Sequence, residues 1–195
     1  MQDQSTIRKT LQKRRQALSA SEQQALSMQI CEQLLASNML DYMEHIAIYL
    51  PVRGEADPTP LLNSKLSNKQ FYLPVLSQEK AGYLTFAAYS KDTVMTVNKF
   101  KIPEPDLSQT NVINSTALDC VIMPAVGIDT NGNRIGMGGG FYDRTFAYRK
   151  QKAHKPMLVG FCYEFQLIDP QTPQAWDIPA DAVVTDKRFK RFKRF

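Results

Sequence analysis

Residues 131–144, NGNRIGMGGGFYDR, constrain this chain more than any other stretch. They hold five of its nine glycines: Gly132, Gly136, Gly138, Gly139 and Gly140. Glycine permits positive φ and close backbone approach, so the stretch reads as a loop. A strand is expected before it (119–126, DCVIMPAV) and a helix after it (141–151). Strand, glycine loop and helix together present backbone N–H groups to a phosphate, and the helix N-terminus adds partial positive charge. Arg134 and Arg144 bracket the loop with guanidinium forks suited to phosphate oxygens. Asp143, in the first helical turn, either favours the dipole or holds a Mg²⁺ brought by a nucleotide. The loop lacks the lysine–hydroxyl ending of the P-loop, and GMGGGF is not the dinucleotide pattern GxGxxG. On spacing alone, a plain glycine linker and a phosphate cradle both remain open.

At 195 residues the chain fits one domain. No apolar run approaches the ~20 residues of a membrane span. The opening MQDQSTIRKTLQKRRQ has neither the apolar core nor the cleavage site of a secretory signal, so a cytoplasmic location is expected. Cys31, Cys120 and Cys162 are odd in number and far apart, which predicts reduced, buried thiols. The only histidines, His45 and His154, argue against a histidine-rich metal site and against a histidine-based triad. The net charge is +5, but KRFKRFKRF at the C-terminus carries six positive charges, leaving about −1 for the rest (5 minus 6). The basicity is a tail, residues 187–195, read as a solvated, disordered end following a domain that spans 1–186. No nucleic-acid or membrane partner is expected.

Taken in order, residues 7–18 carry apolar side chains at helical spacing (Ile7, Leu11, Leu18) and a basic face of Arg8, Lys9, Lys13, Arg14 and Arg15. Ser19 with Glu22 is a capping box opening a second helix to about residue 37. Residues 46–50 read as a buried strand and PVRGE as a loop; Asp57-Pro58 predicts the start of a helix. Strands are expected over 71–76 and 83–88, with a weaker one at 94–97. The two prolines flanking Glu104 limit regular structure over 100–105, and 107–117 reads as a loop. Phe71, Tyr72, Tyr83, Phe86 and Tyr89 are read as core before any stacking role. Strands are again expected over 157–163, where Gly160 marks close packing, and over 181–185. This order predicts an α/β fold with a mostly parallel open sheet flanked by helices. Ligands of such sheets bind outside the strands' carboxyl ends, so the Glu55 loop and the glycine loop are expected to face one crevice.

The run PAVGIDTNGNRIGMGGGFYDRTF resembles the signature of the 5-formyltetrahydrofolate cyclo-ligase family, also called 5,10-methenyltetrahydrofolate synthetases. IAIYLPVRGEADPTPLL, FYLPVL, KIPEP and WDIPADAVVTD resemble further landmarks of that family, in order over nearly the whole chain. The resemblance implies a Rossmann-like fold of the CoA-transferase-like type. It implies Mg²⁺-dependent use of ATP to cyclise 5-formyltetrahydrofolate to 5,10-methenyltetrahydrofolate, by a monomer whose partners are small molecules. It carries ATP binding onto Arg8, Arg134, Ile135, Gly136, Met137, Gly138, Gly139, Gly140, Phe141 and Tyr142. Substrate binding falls on Leu50, Glu55 and the segment from Gly138 to Tyr142, catalysis on Arg144 and Tyr142, and metal binding on Asp143 and Asp177. One departure is that the lysine many members carry a turn before Arg8 falls on Gln4. Three alternatives stand beside this one: another phosphate-ligand α/β enzyme such as a sugar-phosphate isomerase, an RNA- or membrane-binding module using the tail, and a catalytically silent member.

Overall fold

Ser19 and Glu22 form the reciprocal cap that their spacing predicts. The Glu22 carboxylate accepts from the Ser19 N–H at 2.8 Å, and the Ser19 hydroxyl accepts from the Glu22 N–H at 3.3 Å. In the computed structural model, which describes residues 3–66, 68–151 and 155–192, this cap separates α1 (Gln4–Gln16) from α2 (Ala20–Ala36). Then follow β1 (His45–Ala47), β2 (Gln70–Leu76), β3 (Leu84–Tyr89), β4 (Met95–Val97), β5 (Pro103–Pro105), β6 (Val112–Ile113), β7 (Cys120–Pro124), β8 (Gly127–Asp129) and β9 (Arg134–Ile135). The chain continues through α3 (Phe141–Thr145), β10 (Met157–Phe161), β11 (Leu167–Ile168), β12 (Ala182–Val184) and β13 (Phe189–Arg191).

Eight strands form the main sheet, in the order β13-β12-β10-β7-β1-β2-β3-β6. The five central strands, β12 to β2, are parallel; β13 pairs antiparallel with β12 at one edge, and at the other β3 pairs antiparallel with β2 and β6 with β3. The expected α/β sheet is therefore present. Its central strands are short and apolar because both faces are covered. In β7, Cys120 and Ile122 pack with Ile30 and Leu34 of α2, while Val121 and Met123 pack with Phe146 and Ile178 on the other face. Phe71, Tyr72 and Phe86 are core residues, as expected. Gly160 is indeed a close-packing position: a Cβ there would lie 2.0 Å from the Ile128 side chain. All three cysteines are buried free thiols, and burial pushes Cys31 up to about 12.

Three local expectations need correction. After Asp57-Pro58 there is only a 3-10 helix, Thr59–Asn63, and the Asp57 carboxylate accepts from the Thr59 N–H at 2.8 Å. The helix expected over 141–151 is five residues of α3 followed by a 3-10 turn, Ala147–Lys150. The tail expected to be disordered is instead a paired edge strand as far as it is described. Arg191 lies opposite Ala182, the Phe192 N–H donates to the Asp181 carbonyl at 2.8 Å, and Phe189 and Phe192 pack against the core. Each of the two described KRF repeats supplies a ring for that packing while its cations stay outside, which charge counting alone does not anticipate. Lys193 to Phe195, and His154, lie outside the described residues.

Candidate active site

The parallel strands end at a cleft of about 870 Å³, in the upper part of the range for ligand sites. Its floor comes from the carboxyl ends of β1 and β7 and the residues just past them (Tyr49, Leu50; Pro124, Ala125, Val126), with Leu73, Pro74 and Leu76 of β2 beside them. From β1 the chain crosses to β2 on one side, whereas β7 pairs on the other. The cleft thus sits where the crossovers diverge, the position that α/β sheets leave open.

One wall is the loop after β1. Glu55 is only 7% exposed, and its carboxylate accepts from the Val52 N–H at 3.1 Å. Burial pushes this carboxyl above its ordinary range, while Arg15, the Val52 N–H and Arg53 pull the other way. Its surroundings are those of a buried group in a binding wall and not of a surface carboxylate.

The facing wall is the glycine loop. It does not follow β7 directly, because the β8–β9 hairpin intervenes. Asp129, buried, ties that hairpin's turn by accepting from the Asn131 and Asn133 N–H groups, both at 2.8 Å. Gly132 belongs to this turn, where a Cβ would lie 2.7 Å from the Ala180 carbonyl. Ile135 to Gly140 then line the cleft. Among the described residues, no backbone N–H from Gly136 to Gly140 donates to a protein acceptor. That leaves a run of free donors, the usual property of an anion cradle. Because α3 has five residues, these amides and the nearby guanidinium groups supply the positive potential, and a long helix dipole does not.

Arg134 is anchored at the base of the loop. Its Nη2 lies 3.3 Å from Asp143, and its guanidinium stands 5.3 Å above the Tyr142 ring. The other Asp143 oxygen accepts from the Ile178 N–H at 3.2 Å, which brings Asp177 to the same wall. Asp177 also caps its own turn, accepting from the Gln174 N–H at 2.8 Å. Desolvation pushes the Tyr142 phenol well above its ordinary value, against the opposing pull of Arg134, so it stays protonated as a donor. From α1, the Arg8 Nε donates to the Gly136 carbonyl at 2.9 Å, and Gln4 lines the cleft. Lys9 is exposed and does not line it, so it does not take the place of a lysine at position 4.

Arg144 is placed differently from the expectation. It is exposed and not among the residues lining the cleft, and its guanidinium donates to the carbonyls of Gly82 (2.8 Å) and Gly139. It braces the loop from outside. Leu50, Glu55, Arg8, Arg134, Asp143, Asp177 and residues 135–142 all meet in the one cleft.

The sequence marked the weak strand at 94–97 but gave the β4–β5 hairpin no place in the site. Asn98, Phe100, Lys101 and Glu104 line the cleft from it. Glu104 fastens the hairpin by accepting from the Leu76 N–H (3.3 Å) and the Asn98 amide (2.9 Å). Phe100 crosses over to meet the Phe141 ring edge-on at 5.9 Å. The signal available was KIPEP, with one carboxylate held between two prolines. Trp176, 67% exposed, stands at the mouth.

A profile of the 5-formyltetrahydrofolate cyclo-ligase family matches residues 1–186. The chain is 35% identical over 179 residues to the 5-formyltetrahydrofolate cyclo-ligase of Escherichia coli K12, covering 91% of this chain and 97% of that one. It is 37% identical over 176 residues to the enzyme of that name from Haemophilus influenzae, covering 89% and 92%. The NMR structure of Aquifex aeolicus 5,10-methenyltetrahydrofolate synthetase superposes with a TM-score of 0.82 at 30% identity, covering 98% of this chain and 94% of that one. With this cleft, this order of motifs and these relatives, the chain belongs to the 5-formyltetrahydrofolate cyclo-ligase family.

Proposed function

We propose that the chain is an ATP-dependent ligase that closes 5-formyltetrahydrofolate to 5,10-methenyltetrahydrofolate, releasing ADP and phosphate. The observation that carries this reading is the meeting of an unpaired run of loop amides with a buried carboxylate across a single cleft. One wall suits a polyphosphate, and the other suits the donor edge of a pterin ring.

The chemical difficulty is that a formamide oxygen is a poor leaving group. In-line attack of that oxygen on the γ-phosphorus forms an O–P bond and breaks the bond to ADP. The neighbouring anilino nitrogen then attacks the activated carbon and gives up its N–H proton, phosphate leaves with the former formyl oxygen and takes up that proton, and the resulting amidinium keeps the positive charge. No protein nucleophile is needed; positioning and charge neutralisation suffice. Arg8, Arg134 and the amides from Gly136 to Gly140 would hold the phosphates. Glu55 and Leu50 would seat the pterin, and the protonated Tyr142 would donate towards the reacting end. Arg144 would hold the loop's shape through the Gly82 and Gly139 carbonyls.

Mg²⁺ fits the residues present in a limited way. Among the described residues no group of three or more metal-ligating side chains occurs. Asp143 and Asp177 share a wall with free acceptor capacity, which suits a cation held mainly by nucleotide phosphates. When bound there, Mg²⁺ would supply charge neutralisation at the transferring phosphoryl group. We further propose that the chain works as a cytoplasmic monomer.

The test is the near-ultraviolet absorbance of the methenyl-bridged product, with purified protein, 5-formyltetrahydrofolate and Mg²⁺, with and without ATP. An ATP-dependent rise with stoichiometric ADP is expected. Folded protein that gives no rise would overturn the reading.

A further inference from the structure

Arg15 lies in a run of basic residues, Lys13-Arg14-Arg15, that reads as one solvated face. The structure separates them: Lys13 and Arg14 are exposed, whereas Arg15 is 1% exposed, among the largest fully buried side chains. Its Nε donates to the Arg53 carbonyl at 3.2 Å, and its Nη1 lies 3.6 Å from the Glu55 carboxylate. Neither Nη1 nor Nη2 has a hydrogen-bond acceptor among the described residues. A buried guanidinium with unused donors is a poor way to stabilise a fold, since an apolar side chain of similar volume would do as well or better. Its presence points to a task in the site.

The geometry of α1 suggests that task. Arg8 and Arg15 are seven residues apart, two turns on one helix face, about 10.5 Å along the axis. Arg8 reaches the glycine-loop wall at Gly136, and Arg15 reaches the opposite wall at Arg53 and Glu55. Gly54 lets that wall sit directly on the helix end, where a Cβ would come 3.1 Å from the Arg15 carbonyl. We propose that Arg15 is a positioning residue for folate recognition, its buried guanidinium holding the Glu55 carboxylate in place at the cleft wall. The proposal rests on the cyclo-ligase reading and names a residue that would set the affinity of its folate site.

The groups facing Glu55 are Arg15 from α1, Arg53 from its own loop, Tyr49 after β1, Tyr142 from α3 and Tyr163 after β10. All three phenols are held protonated by burial, so removing Arg15 acts on Glu55. Burial already raises the Glu55 carboxyl, and without Arg15 it rises further. The ionised form is then lost at a higher pH as the solution is acidified.

The experiment compares wild type, Arg15→Gln, Arg15→Lys, Glu55→Gln and the double variant Arg15→Gln/Glu55→Gln at saturating ATP across pH. Arg15→Gln is expected to raise KM for 5-formyltetrahydrofolate about 10- to 100-fold with kcat little changed, because a binding partner is lost and not a transition-state contact. The inflection in KM against pH moves upward. Arg15→Lys keeps the inflection while raising KM, since an ammonium on a shorter side chain does not reproduce the guanidinium's separate nitrogens at the Arg53 carbonyl and Glu55. The double variant is no worse than Glu55→Gln alone. A profile for Arg15→Gln that overlays wild type overturns the proposal, as does additivity in the double variant. Should Arg15→Gln not fold, Arg15→Lys decides: a raised KM supports the proposal and a wild-type KM overturns it. Folate-dependent quenching of Trp176 fluorescence gives the same comparison without turnover. A wild type that binds the folate but does not turn over would sink the cyclo-ligase reading and leave the Arg15 comparison intact.

Discussion

Gly138→Ala isolates the glycine loop's backbone from its packing. Gly138 has φ +96, yet a Cβ built there meets nothing within 4 Å. The cost of alanine is therefore conformational, about 1–3 kcal/mol for holding a side-chain-bearing residue in that region. Nothing packs around the site to enforce the strain, so the loop relaxes towards negative φ and the protein does not unfold. That relaxation turns at least one loop amide away. A hydrogen bond to a charged acceptor is worth about 1.5–3 kcal/mol, so KM for ATP should rise about 10- to 150-fold. Thermal stability should hardly move. The control is Gly160→Ala, whose Cβ would lie 2.0 Å from Ile128 in the core. Overpacking of about 1–3 kcal/mol there should lower Tm by about 2–12 °C with KM for ATP unchanged in the folded fraction. Steady-state kinetics at varied ATP and thermal denaturation of both variants make the comparison. A Gly138→Ala protein with a wild-type KM for ATP, or one whose only defect is Tm, would refute the assignment of the loop as the phosphate cradle.

Deleting residues 187–195 should destabilise the fold by about 2–4 kcal/mol, through loss of two packed rings and exposure of the β12 edge, and it should promote aggregation. Denaturant titration reads this, and an unchanged midpoint would show that β13 contributes nothing. For Asp119, burial opposes ionisation, but the His45 N–H, Lys155 and the Glu44 N–H outweigh it and hold the carboxyl at about 2. A depressed carboxyl contributes stability above its unfolded pKa near 3.8 and loses it as pH falls towards 2. Wild type should therefore lose more stability across that acid window than Asp119→Asn does, as measured by Tm against pH. Asp143→Asn should cut turnover most at subsaturating Mg²⁺. Wild-type turnover there would remove Asp143 from the metal role.

Much of the site was legible because local chemistry announces itself. The clustered glycines could only be a loop. The Ser19–Glu22 spacing could only cap a helix. Short apolar runs without helical period marked the strands whose ends form the cleft floor. What misled was of another kind. Arg144 looks like Arg134 in sequence, yet one brackets the loop from outside and the other from within, because α3 turns once and directs Arg144 towards Gly82. The β4–β5 hairpin carries KIPEP, but nothing in that motif says which wall it joins. It reaches the cleft only because Glu104 takes up the Leu76 N–H on a strand 28 residues earlier.

The sequence by itself determined the fold class, the family and the two loops that must face each other, since these depend on periodicity, turn chemistry and ordered motifs within short windows. The tertiary structure alone decided which of several identical side chains are buried. Arg14 and Arg15 are neighbours with the same chemistry, and only the rotation of α1 against the Glu55 loop exposes one and buries the other. The basic tail likewise became a strand because β12 offered an unpaired edge and the core had room for two rings. Burial and pairing are properties of what lies across the fold, and a residue's own neighbours in sequence carry little information about that.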